Sequence, residues 1–135
     1  MEKKLKILCA EDEADIRRIV ALSLEMVGGH EVILCENGRE AVRLAAEKLP
    51  DLIILDVMMP ELDGTEALKH IQECPKTAKI PVVFLTARIQ GAEVEAYREL
   101  GAVNVIGKPF HPVELPAIVE EIWRNHCARS GTAAV

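Results

Sequence analysis

Five polar side chains stand where apolar runs end. Leu5 to Ala10 runs into Glu11-Asp12, Leu52-Ile53-Ile54-Leu55 into Asp56, Pro81 to Leu85 into Thr86, and Val103 to Gly107 into Lys108-Pro109. If these runs are parallel strands, three carboxylates, one hydroxyl and one ammonium collect at one edge of the sheet. Glu11, Asp12 and Asp56 placed together repel and raise one another's pKa values unless a cation sits among them. Hard oxygen ligands with room for water favour Mg²⁺. A carboxylate can attack phosphorus and form an acyl phosphate. That reaction needs alignment and charge neutralisation rather than a base. Asp56 suits the nucleophile, Lys108 a point charge, and Thr86 a hydroxyl donor to a phosphoryl oxygen. Lys108-Pro109 is an X-Pro bond, and its cis form would aim the lysine back at the site. Taken singly, each residue has an ordinary reading as a loop acid, a strand-end threonine or a solvated lysine. Their convergence carries the chemistry.

A strand-helix alternation positions these groups. Leu5 to Ala10 reads as a strand, and Ala14 to Val27 as an amphipathic helix with Ile16, Ile19, Val20, Ser23, Leu24 and Val27 on one stripe. Gly28-Gly29 stops it. Glu31 to Cys35 is a second strand, Asn37-Gly38 a turn, and Arg39 to Leu49 a helix ended by Pro50. Leu52 to Asp56 is an unbroken aliphatic strand, which implies burial on both faces. Asp63-Gly64 has the form of a hairpin turn, but Thr65 to Glu73 has helical spacing. Pro81 to Thr86, Ala92 to Leu100, Val103 to Gly107 and Val113 to about Cys127 complete the alternation as strand, helix, strand, helix. Pro116 falls early in the last helix, where a missing amide costs least. Leu115, Ile118, Val119 and Ile122 form its core stripe, with Trp123 at the border. Short loops between alternating elements imply an α/β fold with a parallel sheet covered on both faces by right-handed crossovers.

Composition narrows the function. A chain of 135 residues suits one domain with a real core. Aromatics make up 3%, too few for a base-stacking surface, and the net charge of −6 opposes binding to a phosphate backbone. Cys9, Cys35, Cys74 and Cys127 share no metal-ligand spacing and read as reduced thiols. His30, His70, His111 and His126 show none either. The charged start Met1-Glu2-Lys3-Lys4 is unlike a signal peptide, and no apolar run reaches the roughly 20 residues of a membrane span. The expectation is a soluble, cytoplasmic protein with no direct nucleic-acid contact and no membrane insertion.

Two phosphate-handling alternatives fail on the same residues. A P-loop or dinucleotide site needs glycines after the first strand. Here that turn is Ala10-Glu11-Asp12-Glu13. A haloacid-dehalogenase-type phosphatase uses a D-x-D pair, but Met58 stands two residues after Asp56.

The chain resembles the receiver domain of a two-component response regulator, of the single-domain chemotaxis-regulator kind. The matching stretches are Leu8-Cys9-Ala10-Glu11-Asp12-Glu13, Asp51 through Pro60 with Asp63-Gly64, Pro81 through Ala87, and Gly101-Ala102 through Lys108-Pro109-Phe110. The resemblance covers residues 4–127, leaving 128–135 as a tail or the start of a linker. It implies a flavodoxin-like doubly wound fold with strand order 2-1-3-4-5. It implies Asp56 as phosphoacceptor and Glu11, Asp12, Asp56 and the Met58 backbone carbonyl as Mg²⁺ ligands. Thr86 and Lys108 would then contact the phosphoryl group. The donor would be a phosphohistidine on a sensor histidine kinase or histidine phosphotransfer protein, and the output a downstream protein target or onward phosphoryl relay. Such a domain turns over only its own phosphorylation, so it is not an enzyme in the usual sense.

The chain departs from the family pattern in places. Val105 stands where the family often has an inward-swinging aromatic, so any signal must travel by backbone or loop movement. The preceding pair, often acidic, is Val103-Asn104, an apolar edge beside the fourth and fifth helices. Met58 and Arg88 occupy positions that tune dephosphorylation in the family. Two other readings stand beside a phosphorylation-switched module without its own output domain: a phosphorylation-independent interaction module of the same fold, and a metal-dependent phosphatase. A receiver segment of a longer regulator or hybrid kinase is a further one.

Overall fold

A computed structural model describes residues 4–130. Five parallel strands form one sheet in the order β2-β1-β3-β4-β5, with β1 Lys6–Ala10, β2 Glu31–Cys35, β3 Leu52–Asp56, β4 Val82–Thr86 and β5 Asn104–Gly107. The helices are α1 Ala14–Leu22, α2 Gly38–Lys48, α3 Gly64–Glu73, α4 Gly91–Leu100 and α5 Leu115–Ser130. The expected fold class and strand order are observed.

The sheet is sealed on both faces because the strand side chains alternate between them. Leu8, Ile53, Leu55 and Phe84 pack with Ala41 and Ala45 of α2 and Leu68 and Ile71 of α3. Ile7, Cys9, Ile54, Val83 and Leu85 pack on the other face with Val20, Leu24 and Val119. All five residues of β3 and all five of β4 are buried, as their unbroken apolar sequences require. Caps fix where α2 and α3 begin. Asn37 accepts from the Glu40 amide at 2.8 Å, and Asp63 and Glu66 form a reciprocal capping box.

Several expectations are corrected. The first helix does not run regularly to Val27; Ser23–Val27 form a wider π-helical turn closed by Gly28 N–H on the Ser23 carbonyl. The buried Ser23 hydroxyl donates to the Pro112 carbonyl, tying that turn to the segment before α5. The turn carries Val27 out of the core stripe; Val27, Ile19 and Ile118 are exposed. The core contacts fall instead to Val20, Leu24, Val119 and Ile122. The last helix begins at Leu115 rather than Val113 and continues to Ser130, so residues 128–130 are helical rather than tail. Positions 131–135 of the expected tail lie outside the described residues. Trp123 packs half-buried at the core border, as expected. Cys9, Cys35 and Cys127 are buried free thiols and Cys74 is half-buried. Burial pushes the Cys9 and Cys35 thiols up, away from reactivity.

Candidate functional site

Strand register assembles the five residues. β1 and β3 are neighbours, so the turn after Ala10 lies beside Asp56 at the end of β3. Asp56 pairs with Leu85 and Thr86 with Gly107, which sets Thr86 and Lys108 at the same edge. Glu11, Asp12 and Asp56 each offer one carboxylate oxygen, and these atoms lie within 4.8 Å of one another. Glu11 and Asp56 are buried while Asp12 is exposed, so the group opens to solvent on one side only.

Lys108 answers the buried negative charge. Its ammonium stands 2.9 Å from Glu11 Oε1 and 3.3 Å from Asp56 Oδ2. The Lys108-Pro109 bond is cis, and the Lys108 amide donates to the Thr86 carbonyl at 2.8 Å. Burial works against the charged lysine, but Glu11 and Asp56 outweigh it and raise its pKa. Burial, reinforced by Asp56, pushes the Glu11 carboxyl up to about 7, against the pull of Lys108. One ammonium does not balance three carboxylates.

The other oxygen atoms are aligned by backbone. Asp56 Oδ1 accepts from the Met58 amide at 3.2 Å, and Glu11 Oε2 from the Glu13 amide at 3.1 Å. Thr86 Oγ1 accepts from the Arg88 amide at 3.1 Å, which leaves its own hydrogen available to donate. Met58 and Arg88 flank the opening as exposed side chains, Arg88 lying 3.7 Å from Glu93. Glu11 Oε1 is buried and paired with the Lys108 ammonium. Three carboxylate oxygens within 4.8 Å of one another, two buried and one open to solvent, with a single ammonium beside them, form a hard-oxygen donor set with excess negative charge, so the residues fit Mg²⁺.

Two residues at the site were not legible in the sequence. Gly64 reads there as a turn residue. A Cβ on it would lie 2.5 Å from the Asp56 carbonyl and 2.9 Å from Val57 Cα, so α3 can start this close to β3 only with glycine. Arg17 belongs to no motif in the sequence, yet it donates to the Glu11 and Asp12 carbonyls at 2.8 and 3.1 Å. The only sequence signal was its place one turn beyond the acidic pair.

Residues 7–120 match the model of the response regulator receiver domain. The chain belongs to that family. It is 40% identical over 125 residues to a probable transcriptional regulator, ycf27, of Guillardia theta, covering 93% of this chain and 48% of that one. The chain therefore spans about half the length of the curated relatives it matches. Its fold is similar to the chemotaxis response regulator CheY4 of Vibrio cholerae, with a TM-score of 0.83 and 29% identity over 89% of this chain and 99% of that one. The receiver domain of sensor histidine kinase PA1611 from Pseudomonas aeruginosa gives a TM-score of 0.78 and 30% identity, covering 90% and 98%. That structure has a magnesium ion coordinated in its active-site cleft. A receiver of the two-component kind carries a phosphorylation switch, so the interaction module without a switch is not favoured. No helix among the described residues is long and apolar enough to cross a membrane.

Proposed function

We propose that Asp56 is the phosphoacceptor of this receiver and that Glu11, Asp12, Asp56 and the Met58 carbonyl hold Mg²⁺ beside it. The observation that carries this is the buried Asp56 carboxylate, 3.3 Å from the Lys108 ammonium and within a cluster of three acids. When bound, Mg²⁺ would offset the carboxylate charge and that of the incoming phosphoryl oxygens. An Asp56 oxygen attacks phosphorus, forming an acyl-phosphate O–P bond as the P–N bond to a donor imidazole breaks. The electron pair returns to the imidazole nitrogen, which takes up a proton. Lys108 then pairs with a phosphoryl oxygen, and the Thr86 hydroxyl turns its hydrogen to another. That turn gives up nothing internal, because Thr86 Oγ1 accepts from Arg88 rather than donating.

The donor is a phosphohistidine on a sensor histidine kinase or phosphotransfer protein. An apolar groove formed by Ile16, Ile19, Pro109, Phe110 and Pro112 opens beside Lys108, which suits a protein donor. The readout is a changed α4-β5-α5 surface, met by a downstream protein or followed by onward relay. The net charge of −6 and the scarcity of aromatics support protein rather than nucleic-acid partners, in a cytoplasmic setting. The test is intact mass after incubation with acetyl phosphate and Mg²⁺. One phosphoryl group is expected on the wild type, none on Asp56→Asn and none after chelation. An adduct on Asp56→Asn would place the acceptor elsewhere. Multiple turnovers of an added phosphate ester would indicate a phosphatase instead.

A further inference from the structure

Helices α1, α2 and α3 begin differently. Side chains cap α2 and α3: Asn37 for one, the Asp63-Glu66 box for the other. Glu13, at the cap position of α1, makes no side-chain cap bond. Yet α1 follows the turn that carries two of the three clustered carboxylates. Within that turn the Glu11 carboxylate accepts from the Glu13 amide, so one prospective ligand is partly engaged in holding its own backbone. Arg17 supplies the hold from outside. A single guanidinium nitrogen reaches the carbonyls of both Glu11 and Asp12, at 2.8 and 3.1 Å, and the side chain is 18% exposed. Its other terminal nitrogen lies 3.9 Å from Glu36 at the end of β2. The Glu11 amide in turn donates to the Cys35 carbonyl at 3.1 Å. The turn is thus pinned on its carbonyl side to α1 and on its amide side to β2, which leaves both carboxylates directed at Asp56.

We infer that Arg17 is a positioning residue: its guanidinium fixes the Glu11-Asp12 backbone and thereby sets the affinity of the acidic cluster for Mg²⁺. This rests on reading that cluster as the Mg²⁺ and phosphoryl site. Partners that orient metal ligands from one layer out typically govern metal affinity by 10- to 100-fold, in order of magnitude. Arginine suits the role because its planar, always charged guanidinium turns both hydrogens of one terminal nitrogen to the two carbonyls while the other terminal nitrogen faces Glu36, an orientation a rotating ammonium does not fix.

The sign of the effect separates positioning from charge. Removing a nearby cation would by electrostatics alone tighten Mg²⁺ binding. Losing the clamp weakens it. Mg²⁺ alone is titrated calorimetrically into wild type, Arg17→Ala, Arg17→Lys and Glu36→Gln, and phosphorylation by acetyl phosphate is followed across Mg²⁺ concentrations. Arg17→Ala is expected to raise the Mg²⁺ Kd roughly 10- to 100-fold, with the phosphorylation rate recovered at excess Mg²⁺. Arg17→Lys falls between, and decides the matter if Arg17→Ala does not fold. Glu36→Gln stays within about twofold, since exposed ion pairs contribute little. A lowered Tm with Kd unchanged would make Arg17 merely structural, and a lower Kd would make it only a charge; either overturns the inference. Wild type that binds no Mg²⁺ would instead overturn the reading of the cluster itself, and this inference with it.

Discussion

Helices α3 and α4 follow the two strands that carry Asp56 and Thr86, yet they are held very differently. The first buries Gly64, Ala67, Leu68 and Ile71 and starts with a capping box. The second buries no residue, and Gln90 at its cap makes no side-chain bond. Tyr97 of α4 meets Phe84 of β4 edge to face, with centroids 5.1 Å apart and planes at 72°, and the exposed Arg98 reaches Asn104 of β5 at 3.3 Å. The Asp56 side of the site is therefore built into the core, while the side next to Thr86 is lightly fastened. Segments with few buried apolar contacts open locally at low free-energy cost. A switch needs one part that keeps the chemistry in register and another whose position a few new bonds can change. The difference between these two helices provides both.

Core truncation is the harshest way to break that comparison. Ile71→Ala in α3 removes a fully buried side chain and should cost about 2–5 kcal/mol in urea unfolding. Val94→Ala in α4, at a half-buried position, should cost less than about 1 kcal/mol. Hydrogen exchange in the wild type should likewise show α4 amides opening before those of α3. Equal costs for the two truncations would mean that α4 is as firmly part of the core as α3.

The same division marks what could be read from the chain itself. The strands and the site edge were legible because unbroken runs such as Leu52 to Leu55 ended in polar residues, and alternation fixed where those residues converge. Helix faces were less so. Ile19, Val27 and Ile118 have helical spacing but are exposed. A π-helical turn shifts one stripe, and α5 meets the sheet through a narrower face than its pattern suggested. The close approach of α3 at Gly64 and the Arg17 clamp escaped because both depend on backbone atoms. Side-chain patterns carry little trace of them.

The Asp56 side carries its own cost, and pH exposes it. In metal-free protein the Glu11 carboxyl is raised from 4.5 to about 7 by burial and by Asp56. The folded state then holds this proton more tightly than the unfolded chain does. The resulting stability is fully present below pH 4.5 and is lost as pH rises toward 7. The slope is at most about 1.4 kcal/mol per pH unit. Unfolding in the presence of a chelator should therefore show stability falling across this range, and Glu11→Gln should flatten the curve. Millimolar Mg²⁺ should raise stability most at the upper end of this range, where Glu11 is ionised. A chelated wild type and Glu11→Gln with parallel curves would show that Glu11 is not the strained group.

Tyr97 tests the lightly fastened side with the smallest change. Val105, where the family often places an aromatic, sits partly buried against the same cluster as Phe84 and Tyr97. The ring that contacts β4 thus comes from α4 rather than from β5. Phe84 lies two residues before Thr86 on the same strand, so the Tyr97-Phe84 contact ties α4 to the strand that carries the hydroxyl. Tyr97→Leu keeps apolar bulk and removes the edge-to-face geometry. It should cost about 0.5–1.5 kcal/mol, below the loss at Ile71. The cost should appear as faster exchange confined to α4 and its flanking loops, with α3 protection and the Mg²⁺ Kd unchanged. If α3 loosens in step, the two helices form one cooperative unit and the switch cannot be divided between them. If only α4 responds, movement at Thr86 can release α4 without disturbing the cluster of Glu11, Asp12 and Asp56.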